Sequence, residues 1–445
     1  VRVRFVTEYD QFRIVDSPFA VPNKLGRHGL SEVVNHLLEL EEHQPFDFLI
    51  QGKLVRVPLY KFIQNNRLST EEIIVIDYFP AASLSDESEN IDAPSWVGAI
   101  DSNSSIVVSG CYNGQVKIYD TESLKEIGSL QAHEEPVRAV IVWEAPMPKG
   151  KGKAKGAPVH MLATASKDQT VKVWSSRGSA NPASFHLVAT LQGHMSSVES
   201  LGRWASKDQL LSGDWAGHLY VWDLSALAAG ASDSSDSGAA KKKRKNSEGD
   251  ATVAGTVELK PLFTIKAHGQ SISGISSVDS TGTVLTCSWD HSLKAWDLER
   301  QDCVATLASS KVFTSLHRSS AAVGAEGAVE VLTSHPDGKV RLWEVRPGQE
   351  ASSAKAVFGK SAQWISQVRW MPGSAHMFAA TDYAGTVTLW DVRSPNVPLG
   401  RTEAHSGKAL CLNWLPNADS TEAAAGFRLL SGGSDCALKA TAMDS

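Results

Sequence analysis

The 445-residue sequence predicts an α+β β-grasp domain over residues 1–80, followed by an all-β, seven-bladed propeller over residues 95–445. Two observations predict this fold class. One strand pattern returns seven times in the longer part of the chain, which is the signature of a repeat architecture. The first 80 residues lack that pattern and instead combine alternating strands with an amphipathic helix. A length about three times that of a typical domain agrees with this division.

Each repeat ends in a short alternating strand that follows a turn and closes with an aromatic residue. The closing positions are Tyr119, Trp174, Trp222, Trp296, Trp343 and Trp390, with Thr441 at the seventh. Without the two insertions at 144–157 and 224–257, the units average about 43 residues. That length is typical of WD repeats, each of which forms one four-stranded propeller blade.

Two repeats also carry a set of polar residues at fixed positions before the closing tryptophan. These sets are His133, Thr164, Asp168 and Trp174, and His268, Thr286, Asp290 and Trp296. The region resembles the WD-repeat family, in which the four residues form one buried hydrogen-bond chain per blade. Indole, hydroxyl, imidazole and carboxylate groups can each satisfy the next group in such a chain. We therefore interpret these His and Asp residues as structural rather than catalytic.

The first 80 residues predict the order β-β-α-β-β-α-β of a ubiquitin-like β-grasp domain. The predicted elements are strands at 1–5 and around Phe12–Val15, an amphipathic helix at 30–38, a hairpin around Gln51-Gly52, a short helix after Pro58 and a last strand at Ile73–Tyr78. The chain continues into the repeats, so the domain is not a conjugated modifier.

Two polar stretches interrupt the folded regions. Residues 81–94 are acidic and show no periodicity, so they predict a flexible linker. The insertion at about 224–257 is rich in Ser and charged residues and predicts a disordered loop. It contains five consecutive basic residues typical of a nuclear localisation signal: Lys241, Lys242, Lys243, Arg244 and Lys245.

Four bulky aromatic residues occupy equivalent turns of the repeats. Tyr112, Trp215, Trp289 and Tyr383 each stand immediately before the turn position of the polar set. In the family, this position projects from the face that docks partners. Exposed turns rarely favour such bulk, whereas interface anchors do. We expect a protein-docking surface here; the alternative is that some rings lie flat on neighbouring blades.

The composition and the motifs argue against several classes of function. A formal net charge of -6 rules out a generally basic nucleic-acid coat. Five scattered cysteines without a C-x-x-C pair argue against a disulfide framework or a zinc site. The sequence shows neither an apolar run long enough to span a membrane nor a known catalytic motif. We expect no enzyme, no intrinsic cofactor or metal, and no membrane association.

The run HGLSEVVNHLLELEEHQPFDFLIQGKLVRVPLYKFI (28–63) resembles the N-terminal domain of the WD-repeat ribosome-biogenesis factors of the PeBoW type. The resemblance covers both domains and implies a non-catalytic assembly factor for the large ribosomal subunit, active in pre-rRNA processing in the nucleolus and nucleoplasm. In that family the propeller binds the propeller of the block-of-proliferation protein, and pescadillo joins through it. The ubiquitin-like domain binds the metal-ion-dependent adhesion site of midasin, an AAA ATPase that releases the factor from the pre-ribosomal particle.

The resemblance also implies one metal-ligating residue. An adhesion-site Mg²⁺ requires oxygen ligands, and a carboxylate from the partner completes its shell. In the family this acid precedes the last β-grasp strand. The matching segment here is 68–73, in which Glu71 is the expected ligand and Glu72 the alternative. The Mg²⁺ would thus be shared at the interface with midasin.

Two other interpretations stay open at this stage. The sequence WDVR (390–393) matches an ending seen in cullin-RING ligase substrate receptors. The notchless sister factors share the N-terminal domain and the midasin contact but have a longer propeller, so seven repeats argue against them. The sequence also leaves open the partners' contact residues, direct RNA contact, the order of assembly and release, and the strand that closes the propeller.

Overall fold

Eight sheets contain most of the described residues of the chain. The computed structural model describes residues 1–40, 44–145, 159–176, 184–228, 257–319, 328–346, 348, 353–359, 362–416 and 426–444. The first sheet belongs to the N-terminal domain, and the other seven follow in the region of the repeats.

The N-terminal domain is a mixed five-stranded sheet with two helices. Its elements are β1 (Arg2–Val6), a 3-10 helix (Asp10–Phe12), β2 (Phe19–Ala20), α1 (Arg27–Leu38), β3 (Phe46–Ile50), β4 (Lys53–Leu54), α2 (Leu59–Asn66) and β5 (Ile74–Pro80). The strand order is β2-β1-β5-β3-β4. β1 and β5 are parallel, and the other pairs are antiparallel. The predicted β-grasp order is thereby confirmed.

Alternation along the strands builds the core of this domain. The buried cluster contains Val3 and Phe5 from β1, Ile74 and Ile76 from β5, and Leu30 and Val34 from α1. Successive side chains of a strand point to opposite faces of the sheet. The intervening residue Val75 is therefore on the outer face, where it is 46% exposed.

The second strand lies at Phe19–Ala20, so its predicted position around Phe12–Val15 is wrong. Phe12 instead ends a short 3-10 helix. Its ring packs edge-on against that of Phe46, with 5.3 Å between the centroids, and its carbonyl oxygen accepts a hydrogen bond from the Tyr78 hydroxyl. These tertiary contacts override the extended pattern of the local sequence.

Seven further sheets follow, each with four strands except the second, which has five. Sheet I contains β7 (Val97–Ser102), β8 (Ile106–Cys111), β9 (Gln115–Asp120) and β10 (Glu126–Gln131). Sheet II contains β11 (Val137–Glu144), β12 (His160–Ser166), β13 (Val171–Ser175), β14 (His186–Leu191) and the later β18 (Val257–Leu259). Sheet III contains β15 (Val198–Trp204), β16 (Gln209–Asp214), β17 (His218–Asp223) and β19 (Phe263–Lys266), with a 3-10 helix at Ala205–Lys207.

The remaining sheets repeat this plan. Sheet IV contains β20 (Ile272–Val278), β21 (Thr283–Ser288), β22 (Ser292–Asp297) and β23 (Asp302–Ala308). Sheet V contains β24 (Ser315–Arg318), β25 (Val329–Ser334), β26 (Val340–Val345) and β27 (Ala356–Phe358). Sheet VI contains β28 (Ile365–Trp370), β29 (Met377–Asp382), β30 (Thr386–Asp391) and β31 (Gly400–Glu403). Sheet VII contains β32 (Ala409–Pro416), β33 (Phe427–Gly433), β34 (Ala437–Asp444) and the early β6 (Ser83–Asp92).

The innermost strand of each sheet lines a central channel and contacts the innermost strand of the next sheet. Polar side chains join these strands. The Ser200 hydroxyl of β15, for example, donates to the Ile272 carbonyl oxygen of β20 at 2.7 Å. β32 of sheet VII contacts β7 of sheet I, where the Asn413 amide donates to Ser102 Oγ at 3.0 Å. This succession of contacts is the order that the seven repeats predict.

Residues 81–94 do not form the flexible linker that the sequence predicts, because Ser83–Asp92 form β6. β6 pairs antiparallel with β34 along its length. Only Ala81 and Ala82, both buried, separate β6 from β5. The stretch is polar because β6 is the outer strand of sheet VII. Such a strand is held by backbone hydrogen bonds to one neighbour and buries little apolar surface. The N-terminal part of the chain therefore supplies the outer strand of the last sheet.

The long insertion between β17 and β19 is ordered at both ends, so its predicted bounds of 224–257 are too wide. Leu224 is buried, and the short helix α3 (Ser225–Ala228) follows it. At the other end, β18 adds a fifth strand to sheet II, parallel to β14. Residues 229–256, which include the basic run at 241–245, lie outside the described residues.

Candidate functional site

The first predicted hydrogen-bond chain is present and lies inside sheet II. The His133 imidazole is 2.8 Å from Thr164 Oγ1 and 2.7 Å from Asp168 Oδ2. The Trp174 indole N–H donates to Thr164 Oγ1 at 3.1 Å. Burial by itself would raise the pKa of Asp168, but hydrogen bonds from His133 and Thr170 lower it to about 2. The four groups satisfy one another, which gives them a structural role.

The second predicted chain, in sheet IV, has the same geometry. The His268 imidazole is 2.8 Å from Thr286 Oγ1 and 3.0 Å from Asp290 Oδ2. The Trp296 indole N–H donates to Thr286 Oγ1 at 2.9 Å. Burial opposes ionisation of Asp290, but hydrogen bonds from His268 and Ser292 hold its pKa well below the usual range.

Sheets III and VII contain related chains that the sequence left incomplete. In sheet III, the His194 imidazole is 2.7 Å from Ser212 Oγ and 3.4 Å from Asp214 Oδ2. Asp214 stands two residues before the expected turn position, which alanine occupies. In sheet VII, the His405 imidazole is 2.9 Å from Ser431 Oγ, although the closing position there is a threonine. In sheet III the carboxylate therefore comes from an earlier position of the turn and still contacts the histidine.

The four predicted aromatic residues lie together around one end of the central channel. Tyr112, Trp215, Trp289 and Tyr383 line one cavity of about 570 Å³ between the innermost strands. The ring centroids of Trp215 and Trp289 are 5.4 Å apart. Each of the four residues stands in the turn between the second and third strands of its sheet, so the repeat itself brings them to one face.

Trp364 joins three of these residues into a continuous surface, and the sequence analysis missed it. Its ring centroid is 6.3 Å from that of Trp289 and 5.8 Å from that of Tyr383, on which it stacks. We call Trp215, Trp289, Trp364 and Tyr383 the aromatic arc. Trp364 is 39% exposed and Trp215 48% exposed. Contiguous exposed aromatic side chains are typical of protein-docking surfaces.

A backbone hydrogen bond explains why the aromatic turn residues contact the tryptophan residues that precede the innermost strands. The residue before an innermost strand accepts a hydrogen bond from the turn residue: the Tyr383 N–H donates to the Trp364 carbonyl oxygen at 2.9 Å. In sheet I, the Tyr112 N–H donates to the Trp96 carbonyl oxygen at 2.9 Å, and their ring centroids are 5.5 Å apart. A search for tryptophan at the position before each innermost strand would have found both missed residues.

Two cations flank the aromatic arc. Lys408 Nζ lies 4.6 Å from the centroid of the Tyr383 ring. On the other side, Arg138 donates to the Tyr112 hydroxyl at 2.6 Å and pairs with Glu199 at 2.7 Å. Arg138 occupies a β-bulge of β11, which turns its side chain toward the channel mouth. The arc is therefore an apolar surface with the Lys408 ammonium at one margin and the Arg138–Glu199 ion pair at the other.

Glu71 and Glu72 lie in the loop between α2 and β5, and both side chains are exposed. The Glu71 backbone N–H donates to Ser69 Oγ at 3.3 Å. Within the described parts of the chain, neither carboxylate forms an ion pair or a hydrogen bond with another side chain. Ile73 and Val75, which follow directly, are 40% and 46% exposed. The loop thus presents free carboxylates beside an apolar strip.

The described residues contain no group of three or more His, Cys, Asp or Glu side chains that could hold a metal ion. Mg²⁺ prefers about six oxygen ligands, and a single carboxylate supplies only one or two of them. A single glutamate such as Glu71 does not form a complete Mg²⁺ site by itself. In the same described residues, no helix is long and apolar enough to cross a membrane.

The W-D-x-R sequence at 390–393 contributes to a contact between the two domains. The Arg393 guanidinium pairs with the Asp391 carboxylate at 2.7 Å. The same guanidinium lies over the ring of Phe79 from β5, 5.1 Å from its centroid. The residues that suggested a cullin-ligase receptor are thus engaged with the N-terminal domain of the same chain.

Comparisons with known proteins cover nearly the whole chain. Residues 1–63 match the NLE (NUC135) domain, and residues 89–120, 124–175, 185–223 and 259–297 match the WD domain, G-beta repeat. A ribosome biogenesis protein WDR12 homolog of Chlamydomonas reinhardtii is 32% identical over 463 residues, with 99% of this chain and 97% of that protein covered. The homolog of Oryza sativa subsp. japonica is 30% identical over 447 residues, with 98% and 95% covered. The chain therefore belongs to the WDR12 family of ribosome biogenesis proteins, as its resemblance to such factors predicts.

Proposed function

We propose that the chain is a non-catalytic assembly factor of the large ribosomal subunit that acts through one attachment on each domain. Its relatives are named as ribosome biogenesis proteins, which supports a role in that process. The observation that supports a docking function is the exposed aromatic arc at the mouth of the channel. The buried His–Asp pairs are satisfied inside their sheets, which supports a structural role for these residues. Work on the large subunit would place the protein in the nucleolus and nucleoplasm.

The N-terminal domain is the proposed handle for midasin. Glu71 presents its carboxylate from a loop held between α2 and β5, the central strand of the sheet. When bound, the Mg²⁺ at the midasin adhesion site supplies the electrostatic attraction for this carboxylate. Ser69 orients the backbone of the loop, and Ile73 and Val75 offer apolar contact area beside it. The residues of this chain bind and orient, and they perform no chemical step.

The aromatic arc is the proposed docking surface for the propeller of the block-of-proliferation protein, through which pescadillo would join. Tryptophan side chains often contribute the largest share of the binding free energy of an interface. Lys408 at the margin of the arc favours a partner surface that carries a carboxylate opposite it. A pull on the handle would then draw the attached complex away from the pre-ribosomal particle.

A binding assay with two substitutions tests both attachments together. Glu71→Ala should abolish the Mg²⁺-dependent binding of midasin's adhesion-site domain and leave binding of the block-of-proliferation propeller unchanged. Trp289→Ala, in the middle of the arc, should have the opposite effect. Truncation of a central tryptophan typically costs about 2 kcal/mol or more, or about thirtyfold in Kd.

Matched controls separate these sites from general damage. Glu72→Ala changes an equally exposed neighbour and should leave midasin binding intact; loss of binding there instead would identify Glu72 as the ligand. Val357→Ala changes an exposed residue of an outer strand and should leave both interactions unchanged. Midasin binding that survives both glutamate substitutions and EDTA would contradict the handle, and propeller binding that survives Trp289→Ala would contradict the arc.

A further inference from the structure

The end of the channel opposite the aromatic arc has a different lining. The innermost strands begin near the arc, and each residue along a strand lies about 3.3 Å farther into the channel. Arg369 follows Trp364 by five positions, so it lies about 16 Å deeper along β28. His317 and Arg318 lie near the end of β24, and Asp101 near the end of β7. All four of these charged or polar residues line the cavity.

Arg369 carries hydrogen-bond donors that no acceptor among the described residues uses. A guanidinium group has five N–H donors, and none of the hydrogen bonds or ion pairs of the described residues engages this one. Burial lowers its pKa, and the charge of Asp101 raises it. The Asp101 carboxylate is occupied by the Val142 N–H at 2.9 Å and the Asn413 amide at 3.5 Å. Arg369 is half-buried. A guanidinium that is partly removed from water and lacks an acceptor is unfavourable, so Arg369 is suited to contact an anion.

His317 adds a neutral donor beside it. The Trp370 backbone N–H donates to His317 Nδ1 at 3.1 Å, so the ring hydrogen resides on Nε2. Burial, together with the charges of Arg369 and Arg318, holds the pKa of His317 well below its usual range. The imidazole can therefore donate a hydrogen bond at neutral pH without adding charge.

The other arginines of the cavity are already paired with carboxylates. Arg138 pairs with Glu199 at 2.7 Å, and Arg203 pairs with Asp208 at 2.8 Å. Arg318 donates to the Ser319 carbonyl oxygen at 3.3 Å. Within the described residues, however, neither Arg318 nor Arg369 has a carboxylate ion-pair partner, so two guanidinium groups and one imidazole N–H face the Asp101 carboxylate at this end of the channel. That surplus of positive charge and of donors selects for a ligand with several negative charges.

We propose that this end of the channel binds a small, multiply phosphorylated anion, with Arg369 and Arg318 as its principal ligands. Phosphate oxygens match the forked donors of arginine and accept several hydrogen bonds each. The cavity of about 570 Å³ is within the usual size range of small-molecule sites. The site is separate from Glu71 and lies below the arc, so it adds a small-molecule ligand to a docking protein.

Isothermal titration calorimetry of the full chain with inositol hexakisphosphate tests this site. Wild type should bind at a single site, and Arg369→Gln should weaken that binding at least about tenfold, because a charge-assisted hydrogen bond is lost. Arg300→Gln is the control, since it removes the same charge from an exposed side chain. It should bind as wild type does.

Thermal unfolding gives a second, independent readout. Without added anion, Arg369→Gln should change the Tm little, because the loss of its attraction to Asp101 offsets the removal of a half-buried charge. With inositol hexakisphosphate, the Tm should rise for wild type and stay constant for the variant. A variant that merely damaged the fold would lower the Tm in both conditions.

Three results would overturn the site. One is wild-type protein that shows neither binding heat nor a Tm shift with the anion. Another is equal weakening by Arg369→Gln and Arg300→Gln, which would indicate non-specific attraction to surface charge. The third is wild-type affinity in Arg369→Gln. If that variant does not fold, Arg318→Gln takes its place in the same comparison.

Discussion

His335 shows how burial fixes the chemistry of a single side chain in this protein. Its Nδ1 lies 2.9 Å from the Val312 carbonyl oxygen, and because a carbonyl only accepts, Nδ1 must carry the hydrogen. Nε2 therefore accepts from the Thr333 hydroxyl at 2.9 Å, and the Thr333 oxygen in turn accepts from the Trp343 indole N–H at 2.7 Å. Burial, with Arg341 nearby, lowers the pKa of His335 to about 3. The folded protein therefore keeps this imidazole neutral through the physiological range.

This lowered pKa predicts a loss of stability in mild acid. The unfolded chain takes up the proton near pH 6.5, whereas the folded chain does so only near pH 3, so stability falls as the pH drops from 6.5 toward 3. Between pH 7 and pH 5, His335 alone should reduce the free energy of unfolding by about 2 kcal/mol. Urea unfolding of His335→Leu at both pH values should show a pH effect smaller by that amount.

The exposed His28 provides the control for this measurement. His28→Asn should leave the pH effect as it is in wild type, because this substitution changes an exposed side chain and leaves the buried His335 in place. An undiminished pH effect in His335→Leu would show that the folded state also protonates this histidine, and would contradict its neutral assignment.

Among single residues, the sequence reveals those that stand a fixed number of positions from a recognisable residue of the repeat. Tyr383 and Trp289 were predicted because they stand at a constant distance before a closing tryptophan. Trp364 was missed because it is defined by the start of an innermost strand, where a β-bulge shifts the register. Arg369 was missed for another reason: a sequence does not show that a guanidinium lacks an acceptor.

At the scale of the element, β6 shows why an outer strand is difficult to recognise. Its polar sequence lacks periodicity because one edge pairs with β34 and the rest meets solvent. Apolar contacts fix its two ends: Leu84 is 8% exposed and belongs to the same buried cluster as Met443 of β34, and Ile91 packs against a second buried cluster. The third strand of each sheet, by contrast, was evident from its apolar alternation and, in six of the seven repeats, from the aromatic residue that closes it.

Two truncations distinguish a strand from a linker in this segment. A chain that begins at Ser83 keeps β6 and should unfold at nearly the same urea concentration as the propeller of the full chain. A chain that begins at Ala93 exposes the edge of β34 and empties the site of Leu84. It should lose about 3 kcal/mol or more of unfolding free energy and aggregate more readily.

The shorter of these truncations also tests the proposed release mechanism. The chain from Ser83 should still bind the block-of-proliferation propeller and lack midasin binding, so its overproduction should block release. If the two truncated chains had equal free energies of unfolding, residues 83–92 would behave as a flexible linker, and β6 would not contribute to the stability of sheet VII.

At the scale of the whole molecule, the domain order was predictable because each domain has its own sequence pattern, but the connection between them was not. Ala81 and Ala82 alone join β5 to β6, and Arg393 rests on Phe79 across the junction. A pull on the loop at Glu71 therefore reaches the propeller through β6. β5 is hydrogen-bonded on both sides, to β1 and β3, whereas β6 is bonded on one side only. The pairing of β6 with β34 is thus the weakest connection along this path.

Single-molecule force spectroscopy tests this path. The molecule is attached through cysteines introduced by Glu71→Cys and Lys311→Cys, and the exposed Cys303 is replaced by serine. The first event should lengthen the chain by about 33 Å, because the ten residues of β6 peel from β34 pair by pair. Ser88 and Thr441 face each other in this pair. A disulfide between cysteines at these two positions should remove the first event, and reduction should restore it. A much longer first extension that is the same with and without the disulfide would show that the N-terminal domain unfolds before β6 separates from β34. Release would then begin with unfolding of the N-terminal domain and not with opening of sheet VII.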